Sequence, residues 1–435
     1  MNEPRRAAAS SPGVDLSCVL RHALAARSRQ NRRDVILALI LLGALITLPL
    51  TFGVSLIVGL LVAWVIVAAE LLSVHYGVVS QQLKRENFDP KHVPRPPNTK
   101  DRARLDAIEL RDRGNVVVSS LFAPFVGHGD RYSTWSFALN TARPETGKQV
   151  IPFTVHELND HISARVGALQ LPGMDIADML LVNGADLRLG VDDRTRAEVL
   201  RNLEGPPGAH VSQVLLRGLR DDGKGRARPY LAIRVTGWSG ELVNTLFLRC
   251  ALLPDRKMVF IEGSNCLLAP VREQYRAVDS LLDAPTFQQW RKLVGQAGLR
   301  TPILLIRAPF SVIGDLFAPL FERREQRRQE RWIRLRSFNY GAVFSLREAA
   351  SDQLYYRYFQ MADRELYAKT IEHRVLDALV EFMEDHNIDS SDLIQRQTTI
   401  YNSGLFAGRD ISVNRSNVRA GSGAQWSNPQ PMKRG

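Results

Sequence analysis

The segment HELNDH, with His156 and His161, comes nearest to a metal-binding motif in this sequence. A helical zinc site of the H-E-x-x-H type needs histidines four residues apart, because only then do both project from one helix face. Here they are five residues apart, which is about 140° around a helix of 3.6 residues per turn. We therefore expect no metal at this segment, and no other motif indicates a cofactor.

Other candidates for chemistry are few. Residues 127–130 (GHGD) lack the spacing of either phosphate-binding loop, G-x-x-x-x-G-K-[ST] or G-x-G-x-x-G. The sequence also has no G-x-S-x-G elbow and no kinase motif set. If the chain is an enzyme, the polar residues to mutate first are His128, Asp130, His156 and His161.

Composition limits the class of protein. The chain has 435 residues, 45% hydrophobic and 23% charged, with a net charge of +12. A mean hydropathy of −0.15 excludes a polytopic transporter, and the apolar content excludes a wholly disordered chain. Three cysteines without C-x-x-C spacing argue against a disulfide framework and fit a reducing compartment.

An uncharged run of 35 residues, at 35–69, is the strongest signal in the sequence. As one helix it would reach about 52 Å, well beyond the ~30 Å hydrocarbon core of a bilayer. Pro49 and Gly53 disfavour a continuous helix in the middle of the run. We therefore expect a transmembrane hairpin with spans over 35–50 and 53–74.

Basic residues flank this hairpin on both sides, namely Arg29, Arg32, Arg33, Lys84 and Arg85. Positive flanks stay on the cytoplasmic side, so both termini and the main body are expected in the cytoplasm, at the plasma membrane. Glu70 falls near the inner end of the second span, where its carboxylate would reach the interface. A functional intramembrane acid is the alternative.

Composition divides the chain further. The predicted organisation is a basic cytoplasmic N-terminal tail (1–34), the hairpin (35–75), a Pro-containing polar connector (76–113), a cytoplasmic α+β body (114–350), a long amphipathic helix (351–390) and a polar Asn-, Ser- and Gly-rich tail (391–435). Short helices are expected within it at 102–113, 155–169, 192–203, 273–282 and 286–295. The tail predicts either one or two β-solenoid rungs or a flexible segment.

The body's clearest pattern is a series of strand-like runs. Residues 211–216, 230–235, 242–252 and 257–262 are rich in β-branched and aromatic residues and are separated by turn residues. Short connections favour antiparallel neighbours. The fold class is therefore predicted as α+β, an antiparallel β-meander with helices, and not a doubly wound parallel sheet.

An apolar stretch at 308–321 runs directly into a basic one that contains Arg323, Arg324, Arg327, Arg328, Arg331 and Trp332. This patch could be a solvated helix face with Glu–Arg pairs, or a surface for the anionic cytoplasmic leaflet or a protein partner. Nucleic acid is disfavoured, because Trp332 is the one aromatic residue in the basic stretch.

Apolar residues recur at spacings of three and four along 352–386, the longest helix candidate outside the hairpin. This stripe predicts packing on its own domain, with association of a second copy as the alternative. The stretch 340–404, which begins YGAVFSLREAAS, resembles the C-terminal part of uncharacterised actinobacterial two-span membrane proteins with a cytoplasmic body. The resemblance implies the same architecture and no assigned activity.

Two functions remain open from the sequence. The first is a membrane-anchored cytoplasmic binding, scaffold or sensor protein, for which the anchor and the absence of catalytic motifs argue. Its partners would be the lipid bilayer through two spans, an anionic lipid surface, and a protein partner or a second copy. The alternative is a membrane-tethered enzyme of unrecognised type that acts on a membrane-proximal substrate.

Overall fold

The computed structural model describes residues 5–96, 98–221, 225–253, 257–352 and 354–404. Its α-helices are α1 (Leu16–Thr51), α2 (Val54–Leu72), α3 (Thr99–Asp112), α4 (Val155–Gly167), α5 (Asp193–Val199), α6 (Gln213–Asp221), α7 (Glu273–Arg276), α8 (Phe287–Arg334), α9 (Leu346–Ala350), α10 (Tyr358–Asp385) and α11 (Ser391–Gly404). Its strands are β1 (Val116–Ser119), β2 (Asp130–Asn140), β3 (Met174–Asn183), β4 (Ala227–Gly237), β5 (Leu242–Leu252) and β6 (Met258–Leu268). A π-helical stretch, Ser73–Leu83, continues α2.

These strands form one mixed sheet in the order β1-β3-β4-β5-β6-β2. Strand β1 runs parallel to β3, with Val116 opposite Leu180, and the other neighbouring pairs are antiparallel. The predicted meander is therefore correct for β4, β5 and β6 but not for the whole sheet. A parallel pair needs a long crossover, and the chain between β1 and β3 supplies it with β2 and α4.

The strand predicted at 211–216 is wrong, because this stretch enters helix α6. Leu215, Leu216 and Leu219 recur at helical spacing and are buried in one core cluster. The Ser212 Oγ accepts a hydrogen bond from the Leu215 backbone N–H at 3.1 Å, as a helix cap does. A short apolar run does not distinguish a strand from a buried helix by its pattern.

The helices predicted at 102–113, 155–169 and 192–203 are confirmed as α3, α4 and the shorter α5. Helix α4 begins with a capping box, in which Thr154 and Glu157 each satisfy a backbone N–H of the other. Such a box fixes the helix start from local sequence alone.

Side-chain alternation along β5 separates two cores. Leu246 and Leu248 face α4 and α10 in one core, whereas Phe247 packs on Phe125 in the core of the opposite face, with ring centroids 4.9 Å apart. Helix α10 enters the first core through Val375 and its neighbours. Its apolar stripe thus packs on its own sheet domain, by which we mean the sheet and the helices packed on it.

Helices α1 and α2 form an antiparallel hairpin that turns at Phe52 and Gly53, both in the left-handed region. Helix α1 begins at Leu16, where Asp15 caps it, so most of the predicted N-terminal tail is helical. It also continues through Pro49, which makes the turn shorter than predicted. Residues 391–404 form α11 rather than a solenoid rung, and the rest of the predicted tail lies outside the described residues.

Helix α8 is the largest departure from the predicted elements. The helix expected at 286–295 continues over 48 residues and contains Pro302, Pro309 and Pro319. Its small and apolar residues pack on the hairpin in a cluster that comprises Leu37, Ala63, Val67, Ala297, Leu305 and Ala308. Three helices of the described chain are long and apolar enough to cross a membrane, namely α1, α2 with its π-helical continuation, and α8.

Candidate functional site

The four residues singled out for an enzyme do not form one cluster, because His128 and Asp130, at the start of β2, lie apart from the two histidines of α4. His128 is 1% exposed and stacks edge-on against Phe247, in the core on one face of the sheet. His156 and His161 lie on α4, which packs on the opposite face. Burial lowers the pKa of His128 to about 3, so this ring is neutral at physiological pH.

Metal and thiol chemistry find no support in the described part of the chain. No group of three or more His, Cys, Asp or Glu side chains is placed there to hold a metal ion. His156 lies 3.2 Å from Asp221, and His161 lies 3.9 Å from Glu381. Cys250 is buried, and burial raises its pKa to about 12, which leaves the thiol protonated.

The N-terminal segment fastens the start of α1 to the sheet domain. The Ala7 N–H donates to the Tyr340 carbonyl at 2.8 Å, and the Ser11 N–H donates to Asp112 at 2.7 Å. Gly13 lies so close to the β4–β5 connection that a Cβ there would be 2.7 Å from the Gly240 carbonyl oxygen. Helix α1 therefore leaves the sheet domain from a fixed base.

The end of the α2 continuation is fastened in the same way. Lys84 pairs with Asp283 at 2.9 Å, and Arg85 pairs with Glu241 at 3.1 Å. The predicted flanks Arg29, Arg32 and Arg33 all lie within α1, and Arg33 pairs with Glu70 across the hairpin at 3.1 Å. This ion pair satisfies the carboxylate that the sequence placed near the inner end of the second span.

A cavity of about 800 Å³ opens where α1 leaves the sheet domain. The N-terminal segment, α3 and residues 342–346 enclose it, and the three basic side chains in its lining are Arg6, Arg104 and Arg111. Apolar side chains supply much of the rest of the wall, among them Leu16, Leu20, Ala107, Ile108, Phe344 and Leu346. We call this space the arginine cavity.

Electrostatics of the arginine cavity favour an anion. Among the described residues, no carboxylate forms an ion pair with Arg104 or Arg111, and partial burial lowers the pKa of Arg111. The nearest acid in sequence, Asp112, accepts its hydrogen bond from the Ser11 backbone N–H. Guanidinium groups bind carboxylates and phosphates through charge-assisted hydrogen bonds.

A separate groove lies beside the arginine cavity, along α1. It has a volume of about 830 Å³, and Arg104 lines both spaces. Its walls come from α1, α3 and α8, and include the ion pair between Arg27 and Asp315 at 3.4 Å. Arg104 thus lies between the cavity and a groove whose lining reaches Val35, where the uncharged run begins.

A cluster of buried and half-buried polar side chains lies between α10 and the sheet. Glu372 accepts from Trp135 at 3.0 Å and from Asn265 at 2.5 Å, while Tyr132 donates to Asn244 at 2.8 Å. Burial raises the pKa of Glu372. Polar groups in a core are normally hydrogen-bonded in this manner, so the cluster forms a second region where polar chemistry is concentrated.

The sequence contains a signal for this polar cluster, although no catalytic or metal motif includes it. Gln360 and Arg364 occupy positions on the buried face of α10, four residues apart and in line with Ala368. A polar residue at an apolar position of an amphipathic helix indicates a polar partner on the facing element. The arginine cavity had no such signal, because its lining comes from segments more than 300 residues apart in sequence.

The predicted basic patch lies on the last turns of α8. Arg323, Arg324, Arg327, Arg328 and Arg331 are all exposed. Arg328 covers the ring of Trp332 at 4.6 Å and pairs with Glu325 at 3.5 Å. The side chains of Gln329 and Ile333, on the other side of the helix, are buried.

A protein-family model described as an AbeC-like domain matches residues 134–414. The match covers most of the sheet domain together with α8 and α10, and it begins after the hairpin. No curated protein and no solved structure matches the chain.

Proposed function

The chain belongs to the AbeC-like domain family, and we propose that this member is a membrane-anchored binding protein that senses a ligand in the arginine cavity. The observation that carries the proposal is the cavity itself. A space of about 800 Å³ is in the size range of ligand pockets, and apolar walls with a few convergent polar groups are typical of them.

The anchor in this proposal is the hairpin, with α1 and α2 as two spans. Basic residues lie at both of its open ends, and both ends are fastened to the same sheet domain. By the positive-inside rule, the termini and the sheet domain lie on the cytoplasmic side of a bacterial plasma membrane. The packing of Gly59 against Ala44 supports a close antiparallel pair, as small residues do in membrane helices.

The ligand class follows from the walls of the cavity. The guanidinium groups of Arg104 and Arg111 and a mainly apolar lining match an amphiphile with an anionic head group, such as a lipid phosphate or a fatty acid. Val343 and Phe344, at the cavity's edge, are 45% and 68% exposed. The position next to α1 lets such a molecule enter from the inner leaflet.

Sensing would work through the elements that enclose the cavity. A ligand there contacts the N-terminal segment, the first turn of α1 and the segment that leads into α9. Ordering of these elements on binding would change the surface that the sheet domain presents to a partner. The enzyme alternative has less support, because His128 and the histidines of α4 lie on opposite faces of the sheet.

The test is retention of a bound amphiphile by the full chain, purified in mild detergent and analysed by native mass spectrometry. We expect the wild type to carry an anionic amphiphile, and the double variant Arg104→Gln/Arg111→Gln to lose it about tenfold or more. The matched control is Arg102→Gln/Arg113→Gln, which removes two exposed charges, one within α3 and one directly after its last residue. Equal retention by both double variants, or a wild type with no bound anion, would refute the proposal.

A further inference from the structure

Both ends of α8 are fastened near the open end of the hairpin, the start to the α2 continuation and the far end to the N-terminal segment, although α8 itself is long and apolar enough to cross a membrane. Just before it, Asp283 pairs with Lys84, and in its first turn Gln289 accepts a hydrogen bond from Tyr76 at 3.2 Å. At its far end, Arg5 pairs with Glu330 at 2.8 Å. Both of these segments are themselves joined to the sheet domain, the α2 continuation through Arg85 and the N-terminal segment through Ala7, so the two ends of α8 lie beside one body.

The chain before α8 and the chain after it also share one core. Leu246 and Leu248, which precede α8, pack with Ile371 and Val375, which follow it. A helix that crosses a bilayer once leaves its flanking segments on opposite sides, so these residues could not meet. The segment before α1 belongs to the same body, through the hydrogen bond from Ala7 to the carbonyl beyond α8. The segments before α1, before α8 and after α8 therefore all lie on one side of the membrane. The hairpin and α8 must then each cross the membrane an even number of times or not at all.

From this count, which rests on the proposed anchor, we infer that α8 does not span the membrane but lies in the interface of the leaflet that faces the sheet domain. The hairpin supplies two crossings, and α8 supplies none. Its partner is the lipid surface, at the boundary between head groups and acyl chains.

The depth at which α8 meets the hairpin fits this position. The ion pair between Arg33 and Glu70 marks where the polar part of the hairpin ends. Leu37 and Ala63, which contact α8, are four and seven residues further along their helices, or about 6 and 10 Å deeper. Interfacial helices lie about 5–10 Å below the head groups. The outer half of the hairpin takes no part in this cluster.

The exposed face of α8 has the pattern of an interfacial helix. Apolar side chains at least 46% exposed follow one another at spacings of three and four, at Leu299, Ile303, Ile306, Phe310, Ile313, Phe317 and Leu320. The five exposed arginines of the basic patch follow directly, where they would meet anionic head groups. Three prolines in the apolar part each remove a backbone hydrogen bond, which makes bending there easier.

Site-directed thiol labelling tests this inference in the full chain, with its three buried native cysteines kept. Arg291→Cys and Glu322→Cys place thiols at exposed positions before and after the apolar face of α8. An impermeant maleimide should label neither in intact cells and both in inside-out vesicles. Labelling of one of them in intact cells would show that α8 crosses the membrane, and the inference would be wrong.

Phe52→Cys, at the 98% exposed hairpin turn, separates this inference from the proposed anchor. It should be labelled in intact cells. If it is not, the two-span anchor fails whatever α8 does. If it is, and Arg291→Cys and Glu322→Cys react on opposite sides, the interfacial position of α8 alone is refuted.

The depth of α8 in the bilayer is measured with nitroxide labels in phosphatidylglycerol-containing vesicles. A nitroxide at Phe310→Cys should lie shallower than one at Ile46→Cys, and equal depth would contradict the inference.

Discussion

Arg85 and Glu241 join the end of the α2 continuation to the connection between β4 and β5, with a guanidinium nitrogen 3.1 Å from the carboxylate. The other oxygen of the same carboxylate accepts hydrogen bonds from Tyr356 and Gln360, just before and within α10. One acidic side chain thus connects the membrane-proximal helix, the sheet and α10. We therefore expect the loss of Glu241 to destabilise this junction more than the loss of Arg85 does.

Glu241→Ala should lower the free energy of unfolding by about 2 kcal/mol, because it leaves the buried Gln360 without its acceptor. Arg85→Ala should cost less than ~1 kcal/mol, since the Arg85 side chain is 64% exposed. Chemical denaturation of the full chain in detergent measures both, with exposed Glu273→Gln as control. If Arg85→Ala lowers the free energy of unfolding more than Glu241→Ala does, this prediction is wrong.

Arg347, 1% exposed, should be among the most sensitive positions of the sheet domain. Its guanidinium donates to the carbonyls of Glu241 and Ala269 at 2.7 and 2.8 Å. Burial lowers its pKa to about 10, so it remains charged at neutral pH. Arg347→Met should lower the free energy of unfolding by about 2–4 kcal/mol, because two buried carbonyls lose their donor. A loss below that of exposed Arg357→Met would disprove this role.

Glu372 should make stability fall as pH rises through its titration range. Burial raises the pKa of this carboxyl above its ordinary value of 4.5. The folded state therefore binds the proton more tightly than the unfolded state, and stabilisation present below pH 4.5 is lost as pH rises through the raised pKa.

Glu372→Gln should abolish this loss, since the amide keeps an acceptor for Trp135 and carries no charge. Unfolding measured between pH 4 and pH 8 should give a stability difference from the wild type that grows with pH in favour of the variant. Glu365→Gln, at an exposed carboxylate of the same helix, is the control. Parallel pH profiles for the wild type and Glu372→Gln would rule out the effect.

Gly129 and Gly147 form a matched pair, because both have positive φ, +86° and +79°. A Cβ at Gly129 would lie 2.0 Å from the Leu267 carbonyl oxygen, whereas a Cβ at Gly147 would meet nothing within 4 Å. Gly147→Ala should lower the free energy of unfolding by about 1–2 kcal/mol, because a residue with a Cβ is strained in the left-handed backbone conformation. Gly129→Ala should cost several kcal/mol more in the same denaturation experiment. Equal losses of unfolding free energy for the two variants would contradict this prediction, because the backbone at the start of β2 would then move to accommodate the Cβ.

Local patterns in the sequence predicted the elements that depend on neighbouring residues. The uncharged run at 35–69 became the hairpin helices, and the strand-like runs at 230–235 and 242–252 became β4 and β5. Thr154 and Glu157 started α4 through a capping box. In each case the residues that decide the structure lie within a few positions of one another.

Patterns were insufficient where one segment has two possible conformations. The run at 211–216 could form a strand or a helix, and burial of Leu215 and Leu219 against distant elements made it helical. The prolines of α8 indicated breaks, yet packing on the hairpin through Ala297 and Leu305 accompanies one continuous helix. Tertiary packing regularly outweighs local propensity of this size.

Residue patterns alone predict an uncharged hairpin between basic flanks, a strand-rich body and a long amphipathic helix. Only the folded chain shows that β1 pairs parallel to β3, that Arg6, Arg104 and Arg111 line one cavity, and that α8 begins beside the α2 continuation and ends beside the N-terminal segment. The two groups of features differ in the distance along the chain over which they act. Hydropathy and capping act between near neighbours, whereas these features join segments up to several hundred residues apart, which only the folded core brings together.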